Sequence, residues 1–182
     1  MAKFHGFEIK NMKTFMGMEG YGTQGDIWLN GKKLGFWSND GNGGADRFDM
    51  PREAIKQLNE LVAEQCPECA SDDYGIHLDA DLSIVLAHLA DLKDLEKDWK
   101  KLYKKGCSLV SLNSRETDEK VFYEIASTNR RSIINWLIKN LPSESDKHGL
   151  GDCNFDIYDS PECFIVGSPL VGADKAIQIC QR

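Results

Sequence analysis

The sequence predicts an α+β protein, because strand-like and helix-like segments are grouped along the chain and do not alternate regularly. Glycine-rich strand patterns come first, over residues 1–50, and two amphipathic helical patterns follow over residues 51–105. Strands, a further helix and closing strands complete the order. A parallel doubly wound sheet would alternate strand and helix throughout, so we do not expect that architecture.

The strongest pattern in the first fifty residues is a β-hairpin centred on Asn30-Gly31. Apolar residues flank this dipeptide over 26–29 and 32–37, and Asn-Gly readily adopts the positive φ angles of a tight two-residue turn. Residues 7–10 and 13–16 are predicted to form short strands as well. Phe48 and Met50 fit a further short strand.

Two helices are predicted next. Pro51 suits the first turn of a helix over 51–65, and Glu53 favours its amino end. A longer helix is predicted from Asp81 to Lys105, because its apolar residues form a single stripe at helical spacing. Asp79 or Asp81 can cap its start, and Gly106 can end it.

The last third of the chain predicts a second strand-rich region. Cys107–Leu112 and Lys120–Ala126 fit a hairpin, although the latter segment could be helical, and a helix capped by Thr128 or Asn129 should end at Pro142. Residues 155–158 and 163–166 fit two closing strands. We predict an N-terminal part over 1–70 and a C-terminal part over 71–182, or alternatively a single compact unit.

Charge is distributed unevenly along the chain. Residues 40–98 carry fifteen Asp and Glu against five Lys and Arg, a net charge of about −10, whereas the whole chain carries −7. A concentrated negative potential repels nucleic acid and attracts basic protein surfaces. This favours a protein partner and disfavours direct binding to nucleic acid, although a basic patch near Arg130 and Arg131 leaves a two-faced protein as an alternative.

Short motifs for chemistry are scarce. Cys66-Pro67-Glu68-Cys69 could bind one side of a zinc ion, but structural zinc needs four ligands and no second cysteine pair has this spacing. We therefore interpret Cys66 and Cys69 as thiols at a helix end, retain them only as candidate metal ligands, and expect no metal and no cofactor.

The glycine-rich segment Asp40–Asp46 fits neither of the loops that it superficially suggests. An EF-hand loop would need glycine and glutamate where Ala45 and Pro51 stand, and a phosphate loop would need a following Lys and Ser or Thr. We interpret the segment as a mobile turn. Since no catalytic serine or cysteine context occurs either, we expect that the protein is not an enzyme.

The acidic residues allow two interpretations. Acids near the start of the long helix and lysines near its end suit the helix dipole, so a solvated helix face could explain much of the pattern. That interpretation does not explain the acids that precede the helix, among them Glu60, Glu64 and Glu68. If the two helices pack side by side, their carboxylates would form a strip that resembles a line of DNA phosphates.

The segment GYGTQGDIWLNGKKLGFWSNDGNGGAD, residues 20–46, resembles a leader found in small accessory proteins of phages and mobile elements. With its length and acidity, the chain is similar to the type II-A anti-CRISPR proteins, small inhibitors of Cas9. This resemblance implies a DNA mimic that binds Cas9 or the Cas9–guide RNA complex in the bacterial cytoplasm. The N-terminus lacks the apolar core of a signal peptide, which agrees with that location.

If the resemblance holds, an acidic strip would occupy the basic cleft in which Cas9 reads and opens duplex DNA. The residues expected to bind this partner are the acids before and along the long helix: Asp72, Asp73, Asp79, Asp81, Asp91 and Asp94. A different class of function is a metal-binding or nucleotide-modifying enzyme of a mobile element that uses Cys66, Cys69 and the glycine loop. A third is a structural or regulatory phage protein without a nuclease target. No apolar run is long enough to span a membrane, so we expect no membrane partner.

Overall fold

The computed structural model describes residues 1–73, 76–117 and 119–181, and for Ser71–Asp73 and Ile76–Leu78 it describes the backbone. It confirms the α+β class, with a strand-rich N-terminal region, a long helix, further strands and a further helix. The chain forms two compact units. The first contains residues 1–93 and 164–182, and the second contains residues 94–163. The division into 1–70 and 71–182 stays a prediction.

A mixed sheet forms the framework of the first unit. Its strands are β1 (Lys3–Phe4), β2 (Phe7–Met16), β3 (Tyr21–Leu29), β4 (Lys32–Asn39), β5 (Arg47–Asp49) and β11 (Ile165–Val166). Within the described residues their order in the sheet is β11-β1-β2-β3-β4-β5. The neighbouring strands are antiparallel, except for β1 and β11, which are parallel.

The hairpin predicted around Asn30-Gly31 is confirmed as the turn between β3 and β4. Asn30 has φ of 50° and Gly31 has φ of 79°, as expected where both turn residues take the left-handed conformation. The two strands predicted over 7–16 are a single strand, β2, with an irregular register between Lys10 and Lys13. A local bulge of this kind lets one strand continue past a break in its pattern.

Helices α1 (Arg52–Gln65) and α4 (Asp174–Cys180) complete the core of the first unit. Helix α1 buries Ala54, Leu58 and Val62, which recur every four residues and so share one face. Helix α4, which the sequence left unassigned, packs against α1 and β4. A small hairpin of β6 (Ser71–Asp73) and β7 (Ile76–Leu78) follows α1.

Helix α2 (Leu82–Tyr103) begins in the first unit and continues into the second. Its start is capped by Asp81, whose Oδ1 accepts a hydrogen bond of 2.9 Å from the backbone N–H of Ile84. Its end is marked by Gly106, with φ of 78°. The predicted helix is confirmed, and Asp81 is the capping residue.

The second unit contains a three-stranded antiparallel sheet in the order β10-β8-β9, formed within the described residues by β10 (Cys153–Tyr158), β8 (Ser108–Ser114) and β9 (Lys120–Ile125). Helix α3 (Arg130–His148) contributes Ile133 and Leu137 to an apolar cluster with Val110 and Leu112 of the sheet. The segment predicted over 120–126 is a strand, β9, which ends at Ile125, and not a helix.

Two details of the last third differ from the sequence prediction. Asn129 does cap α3, but the helix continues through Pro142 and ends at Gly149, which takes a left-handed conformation. Proline removes one donor from the helix, and the surrounding contacts of the unit outweigh that loss. The closing strands do not pair with each other: β10 joins the second unit's sheet, whereas β11 pairs with β1.

Within the described residues, no helix has both the length and the apolar content needed to cross a membrane.

Candidate partner-binding surface

Residues 57–92 have a charge composition that sets them apart from the rest of the chain. They contain eight Asp and Glu and no Lys or Arg. We call them the acidic segment. They run through the second half of α1, the β6–β7 hairpin and the first half of α2, and all of them belong to the first compact unit. These eight carboxylates thus belong to one compact unit, whereas Asp94, Glu96 and Asp98 of the acidic stretch 40–98 belong to the other.

Helix α1 presents part of this charge as a stripe. Glu53, Glu60 and Glu64 are exposed and lie seven and four residues apart, so they share one side of the helix. This side is turned away from the buried Leu58 and Val62. The nearby Lys56 Nζ lies 4.0 Å from Glu60 Oε1, one helical turn away, so it offsets part of the negative charge of the stripe.

A side chain of α1 joins the acidic parts of α1 and α2. Asn59 Oδ1 accepts a hydrogen bond of 3.0 Å from the backbone N–H of Leu82, the first residue of α2. This amide is one of the four at a helix start that lack a partner within the helix. The contact brings the start of α2, with Asp81 beside it, next to the middle of α1, where the exposed Glu60 follows Asn59.

The structure places the six predicted partner-binding residues in different settings. Asp72 and Asp73 lie on the backbone of β6, and their side chains are outside the described part of the structure. Asp79 and Asp91 are exposed. Asp81 is half-buried and serves as the cap of α2.

Asp94, the sixth predicted residue, belongs to the second compact unit, and its carboxylate lies close to a lysine. Its Oδ1 lies 3.9 Å from Lys97 Nζ. The neighbouring acids of the same helix also have lysine partners: Glu96 Oε1 lies 2.8 Å from Lys100 Nζ. Opposite charges one helical turn apart largely cancel at a distance, so the second half of α2 contributes little negative potential.

Glu68, in the short 3-10 turn Pro67–Cys69, binds inward. Its Oε1 contacts Nε2 of the buried His5, and His5 Nδ1 donates a hydrogen bond of 3.1 Å to the carbonyl oxygen of Ser168. Burial alone would raise the pKa of Glu68, but hydrogen bonds from the local backbone and His5, with electrostatic interactions from His5 and His88, hold it below its ordinary value. This carboxylate is tied to the fold by its contact with His5, while its side chain stays 50% exposed.

The two cysteines of the same turn are buried, with Cys66 fully inaccessible and Cys69 3% exposed. Burial raises the pKa of the Cys66 thiol to about 12 and that of Cys69 to about 11. Thiols protonated to this degree are poor nucleophiles. Among the described residues, no three His, Cys, Asp or Glu side chains come together as a metal site.

The glycine-rich segment Asp40–Asp46 is ordered by its own side chains. Asp46 accepts hydrogen bonds from Trp37 Nε1, at 2.6 Å, and from Asn39 Nδ2, at 2.7 Å. Both of its carboxylate oxygens are thereby engaged. The interpretation as a mobile turn missed this, because the sequence does not show that Trp37 is buried beside the loop.

No protein-family model, curated protein or solved structure matches this chain.

The described arrangement supports electrostatic binding by exposed carboxylates on α1 and at the start of α2. The six partner-binding residues predicted from the sequence do not include Glu60 and Glu64, which are exposed on the α1 stripe. Their spacing of four residues, without a Lys or Arg between residues 57 and 92, is the signal that could have identified them.

Proposed function

We propose that this protein inhibits the CRISPR nuclease Cas9 by binding its guide-RNA-loaded form through the acidic segment. The observation that carries the proposal is the run of eight carboxylates without a Lys or Arg over residues 57–92, with Glu60, Glu64, Asp79 and Asp91 exposed. A surface of this kind complements a basic cleft that normally holds DNA phosphates. The proposal places the protein in the bacterial cytoplasm, where Cas9 acts.

The physical mechanism is competition for a positively charged surface. Carboxylates that face such a cleft replace DNA phosphates as partners of its Lys and Arg side chains. Attraction between exposed charges weakens as salt shortens the Debye length, to about 10 Å at 0.1 M. Inhibition should therefore weaken with salt and should be strongest when the protein meets Cas9 before DNA does.

The test is a cleavage assay with guide RNA and target DNA in which the order of addition varies. The test variant carries Glu60→Lys and Glu64→Lys, and we expect inhibition to weaken about tenfold or more, because close charge pairs at interfaces couple strongly. The control carries Glu116→Lys and Glu119→Lys, two exposed acids of the second unit that give the same change in net charge.

The control variant should inhibit as the unmodified protein does. Equal weakening of inhibition in both variants would show that net charge rather than the acidic segment matters, and undiminished inhibition by both would show that Glu60 and Glu64 do not bind the partner. Full cleavage by several type II enzymes at large excess of the unmodified protein would refute the proposal. The thiols of Cys66 and Cys69, buried and protonated, give the alternative of a metal-dependent enzyme no observation of its own.

A further inference from the structure

The hairpin between β2 and β3 ends in a group of exposed apolar side chains. Met18 is 90% exposed, Tyr21 71%, Met16 70% and Phe15 39%. We call these four residues the apolar tip. Single exposed apolar residues are ordinary on protein surfaces, but four at the end of one hairpin are more typical of an interaction site. Met16 and Tyr21 are cross-strand partners, whereas Phe15 lies on the opposite face of β2. Methionine is favoured at such sites because its flexible side chain adapts to a partner.

The backbone beneath the apolar tip is held by the neighbouring glycine-rich loop. Asn42 Oδ1 accepts a hydrogen bond of 2.7 Å from the N–H of Met18, and the carbonyl of Gly41 accepts one of 3.0 Å from the N–H of Glu19. Gly17 N–H donates to the carbonyl of Gly20 at 2.7 Å. These bonds fix the exposed side chains on an ordered base, which reduces the entropy lost when a partner binds.

Two glycines allow the tip and the loop to come this close. A Cβ atom on Gly17 would lie 2.5 Å from the carbonyl oxygen of Asp40 and 2.6 Å from that of Gly41, which no side chain tolerates. Gly41 has φ of 67°. The close packing of the two loops explains why the segment is rich in glycine, and it ties loop and tip into one structural element.

Charge around the apolar tip indicates the kind of partner. Glu19 and Asp40 flank it, and within the described residues neither carboxylate has a Lys or Arg ion-pair partner. Anionic lipid would repel these acids, which disfavours a membrane surface. A second copy in a symmetric contact would set the acids beside one apolar tip against those beside the other, which disfavours a dimer through this surface.

We propose that the apolar tip binds a segment of a partner protein that combines apolar side chains with Lys or Arg. Met16, Met18 and Tyr21 contact its apolar side chains, and Glu19 and Asp40 pair with its basic ones. The inference uses no residue of the acidic segment and does not depend on Cas9 as the partner.

The test selects a phage-displayed library of 16-residue peptides against the immobilised full chain. We expect enriched peptides that combine aromatic or aliphatic residues with Arg or Lys. Their affinity should fall about tenfold or more with Met18→Ser, because a buried methionine contributes at least one factor of ten to binding. Glu19→Lys should weaken binding and reduce its dependence on salt.

Two further variants separate the tip from general effects. Gly17→Ala should also weaken peptide binding, since its Cβ would displace the supporting loop. The matched control is Ile138→Ser, which removes a side chain that is 70% exposed on α3 of the second unit, and it should leave peptide affinity unchanged. Circular dichroism checks that each variant is folded.

Several results would overturn the inference. They are failure to enrich peptides, enrichment of acidic peptides, and peptide binding that is unaffected by Met18→Ser. Flotation with phosphatidylcholine–phosphatidylglycerol vesicles that depends on Met18 would assign the tip to a membrane instead. A dimer in light scattering that Met18→Ser dissociates would assign it to a second copy. None of these readouts involves Cas9. The inference about the apolar tip can therefore fail while the proposed Cas9 inhibition stands, and Cas9 inhibition can fail while the inference stands.

Discussion

Replacement of Asp46 by alanine tests whether the glycine-rich loop is held as the structure describes. Trp37 is 2% exposed, and its indole N–H donates to Asp46 Oδ2 at 2.6 Å. A buried donor left without an acceptor costs about 1–3 kcal/mol. Loss of the bond from Asn39, which is half-buried, adds about 1 kcal/mol. We expect Asp46→Ala to lower the free energy of unfolding of the first unit by about 2–4 kcal/mol.

The assay is urea unfolding followed by tryptophan fluorescence and circular dichroism. Asp46→Asn retains an acceptor for the indole N–H and should lose about 1 kcal/mol. The matched control is Asp40→Ala, which removes a carboxylate of the same loop whose Oδ1 accepts one exposed bond, from the N–H of Asn42. Its cost should stay below about 1 kcal/mol. An Asp46→Ala protein as stable as the control would contradict the described loop and favour a mobile turn.

Three more outcomes are expected. Because the pKa of Glu68 is lowered in the folded protein, the stability that this carboxylate contributes is fully present above the ordinary pKa of 4.5 and is lost as the pH falls through the lowered value. Glu68→Gln should therefore flatten the acid side of a plot of stability against pH. An unchanged plot would contradict the contact between Glu68 and its histidine partner. Cys66 and Cys69 have pKa values of about 12 and about 11, so little of either thiol is ionised at pH 8. Both should react with iodoacetamide about a hundredfold or more slowly than in the unfolded chain, which mass spectrometry can measure. Equal rates in the folded and unfolded chains would refute their burial. Pro142→Ala restores a backbone N–H donor inside α3 and should raise the free energy of unfolding of the second unit by about 1 kcal/mol or more, as measured by urea unfolding. A lower free energy of unfolding would show that contacts of the proline ring stabilise the unit.

Local patterns predicted much of the fold. The Asn30-Gly31 turn, the apolar face of α1 and the cap at Asp81 depend on residues close together in sequence, and all three are confirmed. The partners of the closing strands depend on residues far apart: β11 pairs with β1 at the other end of the chain. No local spacing encodes such a pairing, so the sequence predicted the two closing strands without their partners.

The candidate surface was predictable in composition but not in detail. The sequence shows the excess of carboxylates, yet the exposed state of Glu60 and the lysine partner of Asp94 depend on helix packing and side-chain position. The inward contact of Glu68 with His5 joins residues 63 positions apart. Charge counting therefore selected a candidate region, whereas the structure shows which of its carboxylates are exposed and which have partners within the fold.

The most direct measurement of the central claim is the affinity of this protein for guide-RNA-loaded Cas9, determined across a range of salt concentrations with and without target DNA. The account predicts binding that weakens steadily with salt, that prior binding of DNA prevents, and that Glu60→Lys with Glu64→Lys weakens about tenfold or more. Binding that is insensitive to salt and to these substitutions, or no binding to any type II enzyme tested, would contradict it.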